Sequence, residues 1–257
     1  GLSYAQFTQA VESILWDQSA HTVTAAVKVT NNGGFDGKSK ALVQLYAQLP
    51  WEPGQAEKSA IQLIGFQKSS GLAAGESETV TITVPDYYFA VYDENAENGA
   101  DPSKTGCYIF DAGDYWFAIG GSSHDALNNI MAARGIEGLF DEKGNPVSGV
   151  PSNAVKAELG QYDNTTYALS PTTGAIVSNQ LQDADLNEYL PGTVTYLSRS
   201  DWTTFPESYT GLTATDAMAE LMIGKTYQKP GDAPDTGDMV FGEDAGLKLV
   251  SMKDVEF

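Results

Sequence analysis

The sequence predicts a mainly β chain: an antiparallel sandwich followed by a mostly irregular extension with short helices. Three observations point there. Over roughly the first 122 residues, apolar and polar residues alternate in short runs. Clusters of Gly, Asn, Asp and Pro separate those runs and supply turns. After Gly121 the pattern changes to helical spacing and then to long polar stretches.

His21 to Thr30 alternates, with Val23, Ala25, Val27 and Val29 on one face and Thr22, Thr24, Lys28 and Thr30 on the other. That is the signature of a half-buried strand. Asn31-Asn32-Gly33-Gly34 follows, a turn of residues that tolerate positive φ. Ala41 to Gln48 is a second strand, apolar on both sides, and Ile61 to Gln67 a third. Ser77 to Val84 alternates again, Val80, Ile82 and Val84 against Thr79, Thr81 and Thr83. Tyr87 to Tyr92 is a short aromatic run. Gly106 to Phe110 and Tyr115 to Ile119 make the last pair, with Tyr115, Phe117 and Ile119 on one face. Seven such strands with turns between them argue for an immunoglobulin-like or fibronectin type III-like sandwich. No strand–helix alternation occurs there, which excludes a Rossmann fold or a (β/α) barrel for this part.

Ser122 to Gly135 carries helix punctuation: Ser123 or Asp125 as N-cap, Leu127, Ile130 and Met131 at helical spacing, and Arg134-Gly135 at the end. Gly138 to Gly160 is polar and turn-rich. Two more short helices are predicted, over 183–190 and 214–223, with a strand from Thr193 to Leu197 between them. Pro230 to Gly242 has linker composition. The division is a sandwich over 1–122 and a helix-containing connector over 123–257, draped over other domains.

Composition narrows the partners. The 257 residues are 42% hydrophobic, enough for a packed core, and carry a formal net charge of −20. So acidic a chain repels phosphate backbones and has no Lys/Arg cluster to release counterions, which excludes nucleic acid and anionic membrane. Cys107 is the single cysteine and can form neither an internal disulfide nor a cysteine-based zinc site. Beside Tyr108, Ile109 and Phe110 it reads as a buried thiol in a strand. No apolar run reaches membrane-spanning length. The start at Gly1 and the end at Phe257, inside an apolar pattern, suggest a piece of something longer.

Several segments in order carry a family resemblance. Gly1-Leu2-Ser3-Tyr4-Ala5-Gln6-Phe7 resembles a Gly-Leu-Ser-Tyr-Thr-x-Phe entry. Val27-Lys28-Val29-Thr30-Asn31-Asn32-Gly33, Gly37-Lys38 and Val43-Gln44-Leu45-Tyr46 follow. So do Leu63-Ile64-Gly65-Phe66-Gln67-Lys68, Leu72 through Gly75-Glu76-Ser77 to Val80, Gly113-Asp114-Tyr115 and Gly120-Gly121-Ser122-Ser123. Together they resemble the fibronectin type III-like domain of glycoside hydrolase family 3 β-glucosidases and cover about the first half of the chain. In the commoner arrangement that domain ends the protein. Here Thr193 through Trp202 and Phe205-Pro206 are similar to the connector of members with swapped domain order, in which the catalytic barrel follows.

The resemblance implies a non-catalytic module that supports hydrolysis of β-linked glucosides by other domains or chains of the same enzyme, with a β-glucoside or oligosaccharide at its rim. The alternatives are a carbohydrate-binding module using exposed aromatics, or a catalytic fragment. A retaining glycosidase needs two carboxylates about 5–5.5 Å apart. Ser200-Asp201-Trp202 is similar to the family's nucleophile motif, which would make Asp201 the nucleophile. Thr203-Thr204-Phe205-Pro206 departs from the small residues that usually follow, and no set of eight strand–helix units surrounds it. The other reading makes Asp201 a turn cap and Trp202 a packing residue.

No catalytic residue is therefore assigned, and no cofactor or metal. His21 and His124 read as surface or capping residues without a nucleophile motif. Asp183-x-Asp185-x-Asn187 begins like a calcium loop, but Glu188 stands at the required Gly, and Asp93 to Gly99 has Lys104 in place of the closing Glu. Asn164-Thr165-Thr166 is a glycosylation sequon by pattern. Substrate or interdomain candidates are Trp51, in the loop Leu49-Pro50-Trp51-Glu52-Pro53-Gly54, with Asp201 and Trp202. An exposed Trp51 suits a sugar face or an interdomain pocket. Trp116 is assigned to the core.

Overall fold

A computed structural model of the chain describes residues 4–34 and 36–200. Its strands are β1 (Gln6–Asp17), β2 (Thr22–Gly33), β3 (Leu42–Gln48), β4 (Gln62–Lys68), β5 (Ser77–Pro85), β6 (Val91–Asn98), β7 (Asp101–Phe110) and β8 (Gly113–Ile119). Helix α1 (Ser123–Ala133) follows, then the two-residue strands β9 (Leu139–Phe140) and β10 (Pro146–Val147), β11 (Ala154–Leu159), β12 (Asp163–Tyr167) and the single-turn α2 (Leu186–Tyr189). The sheets, all antiparallel, have strand orders β1-β2-β5, β11-β8-β3-β4 and β12-β7-β6, with β9 and β10 as a small separate pair.

The first two sheets share one core. Val23, Val27 and Val29 of β2 meet Val43 and Leu45 of β3 and Phe117 and Ile119 of β8, all essentially without exposure. Trp16 sits among Phe89, Phe110, Tyr115 and Phe117, with ring centroids 5.3, 5.8, 4.8 and 6.1 Å away. These tilted and edge-on contacts suit the aromatic quadrupoles. The mainly β, antiparallel sandwich predicted from the alternation is the observed fold.

Several elements differ from expectation. Strand β1 has no counterpart among the predicted strands, because a register shift between Val11 and Ser13 breaks its alternation. Before the shift Phe7, Gln9 and Val11 turn inward; after it Ile14 and Trp16 do. An extra residue in one strand moves every later side chain to the other face. The Tyr87 to Tyr92 run divides into a 3₁₀ turn, Asp86–Phe89, and the start of β6. The α1 N-cap is Ser122, whose hydroxyl accepts from Asp125 N at 3.1 Å. Residues 183–190 form a 3₁₀ turn plus α2 rather than one helix, and Thr193 to Leu197 is not a strand. The predicted 214–223 helix, the 230–242 linker and the Gly1-Leu2-Ser3 entry lie outside the described residues.

The packing continues past residue 122. Ala126 and Ile130 of α1 cover Tyr46 and Ala118 on the outer face of the second sheet. Gly120 allows this approach, since a Cβ there would stand 2.5 Å from Ala126 N. From the polar, turn-rich stretch, β11 pairs with β8 from Ala154↔Ala118 to Leu159↔Gly113. The Asn153 side chain then bridges the two sheets, its Oδ1 accepting from Val11 N (3.2 Å) and its Nδ2 donating to Gln9 O (3.3 Å). β12 joins β7 in the third sheet.

Candidate functional site

The β3–β4 connection is a long loop that the sandwich holds in place through a buried ion pair. Lys58 Nζ contacts the Asp111 carboxylate and donates to the Pro50 carbonyl at 2.7 Å. Asp111 follows β7, and its carbonyl accepts the Tyr115 hydroxyl at 2.8 Å. Burial, then the nearby Asp111 charge, pushes the Tyr115 phenol well above its ordinary range, so it stays a proton donor. Gly113, at φ +136°, lets the β7–β8 turn close on the loop: a Cβ would stand 2.9 Å from the Pro50 ring.

A cleft of about 490 Å³ opens between this loop, the β7–β8 turn and the end of α1. Trp51, Trp116, Glu52, Asp114, Arg134 and Arg199 supply its chemistry. The Arg199 guanidinium lies 4.8 Å from the centre of the Trp51 ring and donates to Lys58 O at 3.1 Å. Arg134 donates to Gln48 Oε1 at 3.0 Å, and Gln48 Nε2 is fixed on Ala60 O at 3.0 Å. Asp114 is paired with Lys156 at 3.1 Å. The Trp51 indole N–H is buried and has no acceptor among the described residues. Cation–π contact, two indoles and hydrogen-bonded charged side chains make a polar-aromatic concavity.

Of the candidates named from sequence, Trp51 lines this cleft, while Asp201 and Trp202 lie outside the described residues. Trp116 is half-buried: Tyr115 and Phe117 face the main core, while the strand alternation turns Trp116 to the other face, where it packs against the smaller apolar cluster under α1 and lines the cleft. Arg134, read from the sequence only as a helix end, and Arg199 are not among those candidates. Their scarcity was the available signal, since they are the only two arginines in the sequence.

Other polar residues singled out from the sequence make contacts within the fold. His21, at φ +54°, places Nδ1 3.2 Å from the Asp86 carboxylate. His124 Nε2 lies 2.6 Å from Phe140 O. Asp185 caps α2 by accepting from Asn187 N at 2.8 Å. Cys107 is buried in β7, and burial raises its thiol pKa. Among the described residues, no group of three His, Cys, Asp or Glu side chains is placed to hold a metal ion.

Residues 41–123 match the model of the fibronectin type III-like domain family. The chain is 33% identical over 126 residues to a β-glucosidase of Ruminococcus albus, a match covering 49% of this chain and 12% of that protein. It is 32% identical over 135 residues to an exo-α-(1→6)-L-arabinopyranosidase of Bifidobacterium longum, covering 52% and 16%. A solved β-glucosidase structure from Paenibacillus barengoltzii aligns with a TM-score of 0.40 at 33% identity, covering 48% of this chain and 13% of that one. The chain thus spans about an eighth of the length of the curated β-glucosidase it matches. The β-sandwich includes the residues that match the fibronectin type III-like domain model.

Proposed function

We propose that this chain is a non-catalytic scaffold module of a larger family 3 glycoside hydrolase, supporting hydrolysis of β-linked glucosides by other domains or chains. The observation that carries this is the match itself. The homologous stretch contains a fibronectin type III-like domain and is a small part of much longer enzymes.

The surface available for docking the remainder of such an enzyme is the open side of the sandwich. There both sheets end on edge strands, β4 and β5, unpaired at that edge among the described residues. Leu63, Phe66 and Tyr88 are exposed along the groove of about 340 Å³ between them. Exposed apolar side chains beside strand edges are expected to be covered in an assembled protein.

The test is turnover of a chromogenic β-glucoside by the purified chain, together with the mass of the native particle. We expect no turnover, and a native species far heavier than the 27.4 kDa of the chain. Hydrolysis by the chain alone, abolished by Asp201→Asn, would overturn the proposal.

A further inference from the structure

The 257-residue sequence contains two arginines, and both line the Trp51 cleft. Of the three described tryptophans, two line it as well. In a chain of net charge −20, this convergence gathers both guanidiniums in one concavity.

The lining narrows the ligand by chemistry. Arg134 and Arg199 line the cleft together with Glu52 and Asp114, the latter paired with Lys156, so two cationic and two anionic side chains share it. An anionic ligand would meet the two carboxylates. An apolar one would desolvate charged groups without replacing their hydrogen bonds. Each guanidinium carries five N–H donors, and among the described residues each spends one on a protein oxygen. Free donors beside carboxylate acceptors match hydroxyl groups, which both donate and accept. The indoles of Trp51 and Trp116 add apolar surface with aromatic faces. A volume of about 490 Å³ falls in the range of small-molecule sites. A pyranose is a neutral ligand of this kind, with one apolar face and a rim of hydroxyls.

We infer that the cleft between the β3–β4 loop, the β7–β8 turn and the end of α1 is a binding site for a neutral pyranoside, with Trp51 and Trp116 as its aromatic walls and Arg134 and Arg199 as its donors. The site goes beyond the scaffold proposal and does not depend on it. A chain that failed to bind sugar could still be a scaffold, and one that bound sugar without turning it over would satisfy both.

The experiment is saturation-transfer NMR and tryptophan-fluorescence titration of the full chain with methyl β-D-glucopyranoside and cellobiose, and with glucuronate as the anionic comparison. A saturable response to a neutral sugar is expected. It should weaken about tenfold or more in Trp51→Ala and several-fold in Arg134→Ala. Trp51→Phe keeps a ring and should stay within about threefold. Melting curves report whether each variant folds. Should Trp51→Ala unfold, Arg134→Ala, at an exposed position, decides. The inference is overturned by no saturable response to either neutral sugar, by binding that Arg134→Ala leaves unchanged, or by glucuronate binding about tenfold more tightly than the glucoside.

Discussion

Lys58 and Asp111 meet as an ion pair with side chains only 2% and 9% exposed, and through it the Trp51 loop is fastened to the end of β7. Neither charge has much water to fall back on, so each depends on the other. Lys58→Met should destabilise the chain by about 3–5 kcal/mol by leaving a buried carboxylate unpaired. Lys58→Met/Asp111→Leu should recover most of that loss. A urea-unfolding double-mutant cycle measures the coupling, and additive single losses would argue against it.

Asp86 gathers contacts from three parts of the fold. Its carboxylate accepts from Trp16 Nε1 at 3.1 Å and from the Tyr167 hydroxyl, and His21 Nδ1 lies 3.2 Å away. Burial, then the bond to Asp86, raises the Tyr167 phenol well above its ordinary range, so it remains a donor. Asp86→Ala should cost about 3 kcal/mol, since it strands a buried indole N–H and a phenol. Tyr167→Phe should cost about 1–2 kcal/mol, because two partners remain. Equal losses for the two variants in chemical denaturation would contradict this ranking.

Gly65 lies where β4 crosses β5. A Cβ there would stand 2.5 Å from Val84 Cγ1 and 3.1 Å from Ile82 Cγ2. Gly65→Ala should therefore overpack the core edge and lower stability by about 1–3 kcal/mol. Val84→Ala in the same chain should relieve part of the clash. A thermal-melting comparison of Gly65→Ala with and without Val84→Ala is the check.

Asp163 gives the fold an acid-sensitive contact. Burial raises its pKa, but hydrogen bonds from Thr166 and Thr165, through hydroxyls and backbone N–H groups, lower it by more. Its folded pKa is therefore depressed, so its contribution is fully present above the unfolded carboxylate value of about 3.9. That contribution is lost as pH falls through the lower folded value. Asp163→Asn should flatten this part of the acid limb in a plot of denaturation midpoint against pH, while wild type retains it.

Local chemistry in the sequence determined most of the strands and the N-terminal half of the architecture. Side-chain alternation has a period of two, and it marked β2, β5 and β8 by the same Val, Ile and Phe positions that fill the core. Tertiary structure decided what that period cannot carry. One added residue near Glu12 switched the buried face of β1, so its sequence has no single alternation to detect. Strand β11 alternates Val155, Ala157 and Leu159 against Lys156 and Glu158, but it lies inside a polar, turn-rich stretch, and pairing with β8 gives it its place in the sheet. The cleft brings Trp51, Trp116, Arg134 and Arg199 together from four distant segments. Such convergence depends on how strands and loops pack across the chain, which no local spacing of residues records.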